Sequence, residues 1–237
     1  MLRLIIILIF LILFWIASLF LWLFELILEK VNMDLRNKTS LAIVNWAFRV
    51  VLFLAGTEVT VSGYEKVPKD EPVLFVSNHL SYFDIVVGYT LAPGLMGFVA
   101  KKAIGKVPLL KVWMRFVNCL FVDREDSADG KRLITDAINH IKSGISIWIC
   151  PEGTRSKTGE LAEFKGGGFL IAQRAGCRIV PVGFKNTADI FERHIPLVKK
   201  AHVYVNFGDP IEVGKLSRDE RKALAQTTHD IVAELIK

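Results

Sequence analysis

The sequence predicts an α/β domain, a layered fold with a mixed, largely parallel sheet flanked by helices, preceded by an N-terminal membrane helix and a second, interfacial helix. Three features point to it. Short apolar strand candidates alternate with amphipathic helical stretches from Glu58 onward, as in chains built from strand–helix units. Polar clusters follow several of those strand candidates directly, where ligands gather in open sheets of this class. Ahead of them lies an unbroken apolar run, Leu4–Phe24, in which Ser18 is the only polar residue. The chain therefore divides into anchoring helices over residues 1–56 and a catalytic-sized domain over 57–237.

The apolar run is long enough, at roughly 31 Å as a helix, to match a hydrocarbon layer of about 30 Å. A cleaved signal peptide would be shorter and would end at a small-x-small site, whereas this run ends in Glu25. A second apolar stretch, Leu41–Ala55, is too short to span comfortably. It sets Lys38, Asn45 and Arg49 on one helical face and Leu41, Val44, Phe48 and Val51 on another. Two arrangements fit that pattern: a helix lying at the membrane interface, or a helix packed on the globular domain. More positive charges follow the first run (Lys30, Arg36, Lys38) than precede it (Arg3). The charge bias thus places the domain on the cytoplasmic side of a cell membrane, the inner membrane in a bacterium.

Within the domain, Glu58–Ser62 alternates polar and apolar residues, as a half-buried strand does. Val73–Val76, Met96–Ala100, Cys119–Val122, Ile145–Cys150, Ile179–Phe184 and His202–Phe207 are the further strand candidates. Lys131–Ser143 carries Leu133, Ile134, Ala137, Ile138 and Ile141 on one helical side, and Ser217-Arg-Asp-Glu220 opens the last helix as a capping box.

Composition narrows the function classes. The formal net charge of +6 comes without any long basic run or basic–aromatic interleaving. That favours phosphorylated small molecules or membrane surfaces over nucleic acid. Three unclustered cysteines (Cys119, Cys150, Cys177) suit neither a disulfide framework nor a zinc site and point to a reducing compartment.

Four clusters carry chemistry. In Asn78-His79-Leu-Ser-Tyr-Phe-Asp84, a helix capped by Ser81 would put Asp84 at its third position, within reach of the His79 imidazole. A carboxylate on one ring nitrogen leaves the other free as a base. Ser81-x-x-Asp84 is equally a plain capping box. Pro151-Glu152-Gly153-Thr154-Arg155-Ser156 could seat an anion, with Arg155 forking onto phosphate and Glu152 accepting from hydroxyls or holding Arg155, or could be only a turn. Lys165-Gly166-Gly167-Gly168, at the start of a helical stretch Phe169–Ala175, could be an anion seat or a hinge. Lys101-Lys102 and Asp123-Arg124 close two strands as basic groups on one rim, or as solvated surface.

Taken in order, these blocks resemble the glycerolipid acyltransferase family with the His-x4-Asp motif. The blocks are Asn78-His79 to Asp84; Lys101, Pro108 and Phe121-Val-Asp-Arg124; Pro151-Glu-Gly-Thr-Arg-Ser156; and Val180-Pro-Val-Gly183. The likeness covers about Val59 to Gly208. Cys150 stands where Phe commonly precedes Pro-Glu-Gly, Ala103 where Glu or Ser is common, and Lys111 where Gly is frequent.

The resemblance implies an acyltransferase of phospholipid biosynthesis. It would move a fatty acyl group from acyl-CoA or acyl carrier protein to the sn-2 hydroxyl of 1-acyl-glycerol-3-phosphate, giving phosphatidic acid. It implies catalysis by His79 and Asp84, substrate binding by Lys101, Arg124, Glu152, Gly153, Thr154 and Arg155, and no metal or bound cofactor. Partners would be lysophosphatidic acid, the acyl thioester or its acyl carrier protein, and membrane lipids, with no nucleic acid. Glycerol-3-phosphate, another lysophospholipid or a lyso-aminolipid as acceptor is compatible with the same blocks, whereas intact His79 and Asp84 argue against a non-catalytic lipid-binding role. A lipase would need a nucleophile in Gly-x-Ser-x-Gly, which the chain lacks.

Overall fold

A computed structural model describes residues 1–237. Two helices come first, α1 (Leu2–Val31) and α2 (Met33–Ala55), joined at Asn32, whose side chain accepts from Leu35 N. They are antiparallel: Arg3 lies beside Gly56, Phe10 against Trp46, and Glu25 against Thr39 and Ser40. α2 begins eight residues before the expected apolar stretch, and its end at Gly56, with φ of 69°, falls where the sequence places it.

The apolar face of α2 packs on the domain. Val44, Ala47, Val51, Leu52 and Ala55 are buried, and Lys38 and Arg49 are exposed, whereas Asn45, expected on the same face, is half-buried. Arg36, near the tip of the hairpin, donates to Phe116 O at 3.1 Å, and Arg49, farther along α2, donates to Thr90 O at 3.1 Å. The hairpin thus lies along the domain over most of its length. On α1 the buried residues Ile7, Ser18 and Glu25 form one stripe. Large apolar side chains such as Ile9, Leu13, Phe20 and Leu23 remain exposed. Both helices are long and apolar enough to cross a membrane. So large a continuous exposed apolar face marks a membrane or partner contact rather than a water-facing surface.

Seven strands form one sheet: β1 (Glu58–Ser62), β2 (Leu74–Ser77), β3 (Met96–Lys101), β4 (Leu120–Val122), β5 (Ser146–Ile149), β6 (Ile179–Lys185) and β7 (His202–Phe207). Their spatial order is β1-β7-β6-β2-β5-β3-β4. All neighbours pair parallel except β6 and β7. The fold is therefore the mixed, largely parallel layered sheet that the alternation of elements predicts. Helices α3 (Phe83–Thr90), α4 (Pro108–Phe116), α5 (Ser127–Lys142), α6 (Leu170–Ala175) and α7 (Arg218–Leu235) flank it. α5 starts four residues earlier than its apolar periodicity indicates, because Asp126 caps it by accepting from Ala128 N. α7 carries the expected capping box of Ser217 and Glu220.

Each central strand is apolar on both sides because the sheet separates two cores. One holds Leu74, Val76, Ile147 and Ile149 against α5, α6 and α7. The other holds an aromatic row across four adjacent strands: Phe184 on β6, Phe75 on β2, Trp148 on β5 and Phe98 on β3. Trp148 stacks on Phe75 at 4.8 Å, Phe98 at 5.0 Å and Phe184 at 5.7 Å, and its Nε1 donates to Ser77 Oγ at 2.8 Å. Trp148→Ala should destabilise the domain by about 3–5 kcal/mol, because the cavity opens between four strands. Denaturant unfolding in detergent, followed by circular dichroism, measures it.

Candidate active site

Five neighbouring strands, β6-β2-β5-β3-β4, run in one direction. Their carboxyl ends therefore share one edge of the sheet. The segments leaving them carry, in that order, Thr187 and Glu192, His79 and Asp84, Glu152 to Arg155, Lys101, and Arg124.

β2 lies between β6 and β5 in this group. After it, the Asn78 side chain pairs with the backbone of Phe184, accepting from its N at 2.8 Å and donating to its O at 2.9 Å. The amide acts as one more rung of the sheet and fixes where the chain turns outward. His79 follows. Its Nδ1 lies 2.8 Å from Asp84 Oδ2. The same oxygen accepts from Leu80 N at 2.7 Å and Ser81 N at 2.9 Å, and the other accepts from Thr187 Oγ1 at 2.5 Å.

Asp84 braces the imidazole as expected, and the same carboxylate closes the turn on the Ser81 amide, but the full capping box does not form: the helix is preceded by Tyr82, which puts Asp84 at its second position, and Ser81 Oγ takes the Phe83 amide instead. α3 starts at Phe83, with Ser81 Oγ accepting from Phe83 N at 2.9 Å. An ionised Asp84 only accepts, so Nδ1 carries the ring proton and Nε2 is left as the basic nitrogen. The ring's hydrogen bond within the protein is made through Nδ1, so Nε2 stays free, and the imidazole side chain keeps 17% exposure.

Glu152 leaves the neighbouring strand and turns toward the histidine rather than toward Arg155. Its Oε1 accepts from His79 N at 2.7 Å and its Oε2 from Ala162 N at 3.0 Å. Burial pushes its carboxyl above the usual range, and these two amides and the nearby imidazole oppose the shift. Ser156 N donates to His79 O at 2.8 Å, so the Glu-Gly-Thr-Arg-Ser turn grips both backbone polar groups of His79. At Gly153, with φ of 80°, a side chain would be strained and would stand 3.1 Å from Lys165 Nζ. That places Lys165 beside this turn, a cation that the sequence groups only with the glycines after it. The glycines themselves form a single 3₁₀ turn, Gly166–Phe169, leading into α6.

The Arg155 guanidinium lies 3.7 Å from the centroid of the Tyr82 ring, and its Nη1 donates to Glu192 Oε1 at 3.1 Å. Thr154 is exposed beside it. Lys101 and Arg124 close the adjacent strands β3 and β4, where Lys101 pairs with Val122. Both are exposed and bonded to no acidic side chain, whereas Lys102 faces Asp123 and Asp129.

The model of the acyltransferase family matches residues 58–185, from β1 to the end of β6. The chain belongs to the acyltransferase family. Among its relatives, the 1-acyl-sn-glycerol-3-phosphate acyltransferase of Borreliella burgdorferi is 28% identical over 201 residues, covering 84% of this chain and 80% of that one. The enzyme of the same name from Saccharomyces cerevisiae is 29% identical over 194 residues, covering 80% and 63%. The crystal structure of the 1-acyl-sn-glycerophosphate acyltransferase PlsC from Thermotoga maritima superposes with a TM-score of 0.72, over 93% of this chain and 96% of that one, at 24% identity. It shares the fold.

An acyltransferase can act through a covalent acyl-enzyme or by direct transfer, and two residues beside His79 could serve as nucleophiles. Ser81 is fully buried, and its hydroxyl donates to Glu192 Oε2 at 2.6 Å. Cys150 directly follows β5, two residues before Glu152, with Sγ 3.6 Å from Ser77 Oγ. Burial, and then the negative charges of Asp84 and Glu152, push its thiol up to about 12. Burial likewise raises Cys119 and brings Cys177 to about 11. The thiolate is the reactive form, so none of the three is poised for attack, and direct transfer fits the site. Iodoacetamide at pH 8 should therefore leave Cys150 unlabelled and activity unchanged, with labelling appearing only as denaturant is added. Mass spectrometry of the labelled peptides reads the outcome.

Proposed function

We propose that the chain transfers a fatty acyl group from acyl-CoA or acyl carrier protein to the sn-2 hydroxyl of 1-acyl-glycerol-3-phosphate, producing phosphatidic acid. The observation that carries this is the His79–Asp84 pair at 2.8 Å, with the free Nε2 opening at the strand edge that also bears Arg155. The names of the Borreliella and yeast relatives support the choice of acceptor.

In this reaction His79 Nε2 takes the proton of the acceptor hydroxyl as its oxygen attacks the thioester carbonyl. The tetrahedral species collapses, the carbon–sulfur bond breaks, and the departing sulfur receives the proton back from the imidazolium. Asp84 stabilises that imidazolium and fixes its orientation. A base placed in this way contributes roughly a hundred- to ten-thousand-fold in rate. Arg155, with Lys101 and Arg124, holds the acceptor phosphate. Glu152 and Gly153 shape the wall between phosphate and base, and Thr154 offers a hydroxyl on the same turn. The reaction needs no metal or bound cofactor.

The exposed apolar face of α1 supports a membrane site. Because α1 and α2 are antiparallel, the N-terminus and the start of the domain lie at the same end of the hairpin. In this reading the outward face of α1 enters the hydrocarbon layer of the cell membrane. The domain stays on the cytoplasmic side, where acyl-CoA or acyl carrier protein is available. A site held at the surface meets its bilayer-resident acceptor at high effective concentration.

His79→Ala should lower kcat by about a hundredfold or more with the unfolding transition retained, measured with a radiolabelled thioester. Activity near that of the parent in this variant would defeat the proposal. Arg155→Ala should raise the KM for 1-acyl-glycerol-3-phosphate and leave the thioester KM unchanged. Offering the same thioester to glycerol-3-phosphate and to other lysophospholipids tests the acceptor.

A further inference from the structure

β6 ends at Lys185, and Asn186 adopts φ of 64°, a left-handed turn that asparagine tolerates better than most residues. The turn leads the chain back over the carboxyl edge of the sheet. Two short 3₁₀ turns follow, Thr187–Asp189 and Glu192–His194. Between them Ile190 is fully buried in the core that holds the aromatic row, and its carbonyl accepts from Lys199 N at 2.9 Å. The segment is therefore pinned by packing and by backbone.

Each end of this segment holds one half of the site. Thr187 Oγ1 donates to Asp84 Oδ1 at 2.5 Å, and both side chains are fully buried. Glu192 accepts from Arg155 Nη1 at 3.1 Å and Tyr82 N at 2.8 Å through one oxygen, and from Ser81 Oγ at 2.6 Å through the other. Arginine offers five N–H donors, so a single bond to Glu192 restrains the guanidinium and leaves most of the fork open. The Tyr82 ring beneath it, at 3.7 Å, removes a further degree of freedom. Glu192 thus holds the cation without occupying it.

Resting on the function proposed above, we infer that the segment from Thr187 to Glu192 is a positioning arm, which fixes the distance between the histidine base and the phosphate-binding arginine. Thr187 acts through Asp84, and Glu192 acts through Arg155. The arm sets where the acceptor hydroxyl falls when its phosphate is bound, which ties the choice of acceptor to its length. Acceptors with the phosphate farther from the hydroxyl would place the hydroxyl away from Nε2.

Steady-state kinetics with both substrates varied tests this. Glu192→Gln keeps an acceptor for the Tyr82 amide but loses the charge facing Arg155. It should raise the KM for 1-acyl-glycerol-3-phosphate about tenfold, with the thioester KM and kcat within about twofold, because a charge-assisted hydrogen bond becomes a neutral one. In an Arg155→Ala background the same change should have no further effect on acceptor KM, since the partner through which it acts is gone. Thr187→Val should lower kcat about tenfold with both KM values unchanged, and Thr187→Ser should restore it.

An unchanged acceptor KM in Glu192→Gln, or a full additional effect in the Arg155→Ala background, overturns the role of Glu192. Thr187→Ser behaving like Thr187→Val overturns that of Thr187. Should Glu192→Gln fold too poorly to assay, Glu192→Asp keeps the charge, shortens the reach and allows the same comparison. His79→Ala is the control: inactive, it shows that only the arm has failed, whereas if it is active the underlying reaction has failed.

Discussion

A buried carboxylate with no cation beside it is costly to hold in a protein, by several kcal/mol unless hydrogen bonds replace its lost water. Asp84 meets that demand with four donors: the imidazole of His79, the amides of Leu80 and Ser81, and the hydroxyl of Thr187. Each donor is part of something else. The two amides belong to the turn after β2, the imidazole is the proposed base, and the hydroxyl comes from the segment after β6. Satisfying one charge therefore ties together the start of α3, the ring orientation and a segment more than a hundred residues away. The turn cannot be rebuilt without unpairing the carboxylate, so the imidazole is held in place before any substrate arrives.

The sheet order turns that local arrangement into a site. With β2 between β6 and β5, the histidine turn has the arm on one side and the Glu-Gly-Thr-Arg turn on the other. Both neighbours bond to it: Thr187 and Glu192 from one, Glu152 and Ser156 from the other. Lys101 and Arg124 extend the basic rim across β3 and β4. The antiparallel β7, and β1 beyond it, point their carboxyl ends the other way and add nothing to this edge.

What could be seen in the sequence follows from how far apart the interacting residues lie along the chain. His79 and Asp84 are five residues apart, so their contact follows from local turn geometry and could be anticipated. The strands of the two cores declare themselves as short apolar runs, and His202–Phe207 has the expected limits. α4 was not visible, because Pro108–Phe116 is too short for its periodicity to stand out, although Pro108 at its first turn is a start signal. Thr187 and Glu192 could not be found either. They lie in irregular backbone, and their partners are reached only through the strand order, which hydrophobic periodicity does not encode. The same applies to Glu152, whose position was clear from the sequence while its partner, the backbone of His79, was not.

The chemistry and the anchoring are linked through the lack of a nucleophile. A covalent acyl-enzyme would let donor and acceptor visit the site in turn. Here the buried hydroxyl of Ser81 is committed to Glu192, and the Cys150 thiol stays protonated far above neutral pH. Direct transfer then requires both substrates to be present together, which in the proposed reaction means a thioester from the aqueous side and an acceptor from the bilayer. On the proposed function, that requirement would give the Arg155 cation and the apolar face of α1 a shared physical purpose. In the proposed reaction Arg155, restrained by Glu192 and Tyr82, would fix the acceptor at its polar end, and the exposed apolar face of α1 would hold the domain where the acceptor's hydrocarbon chain lies.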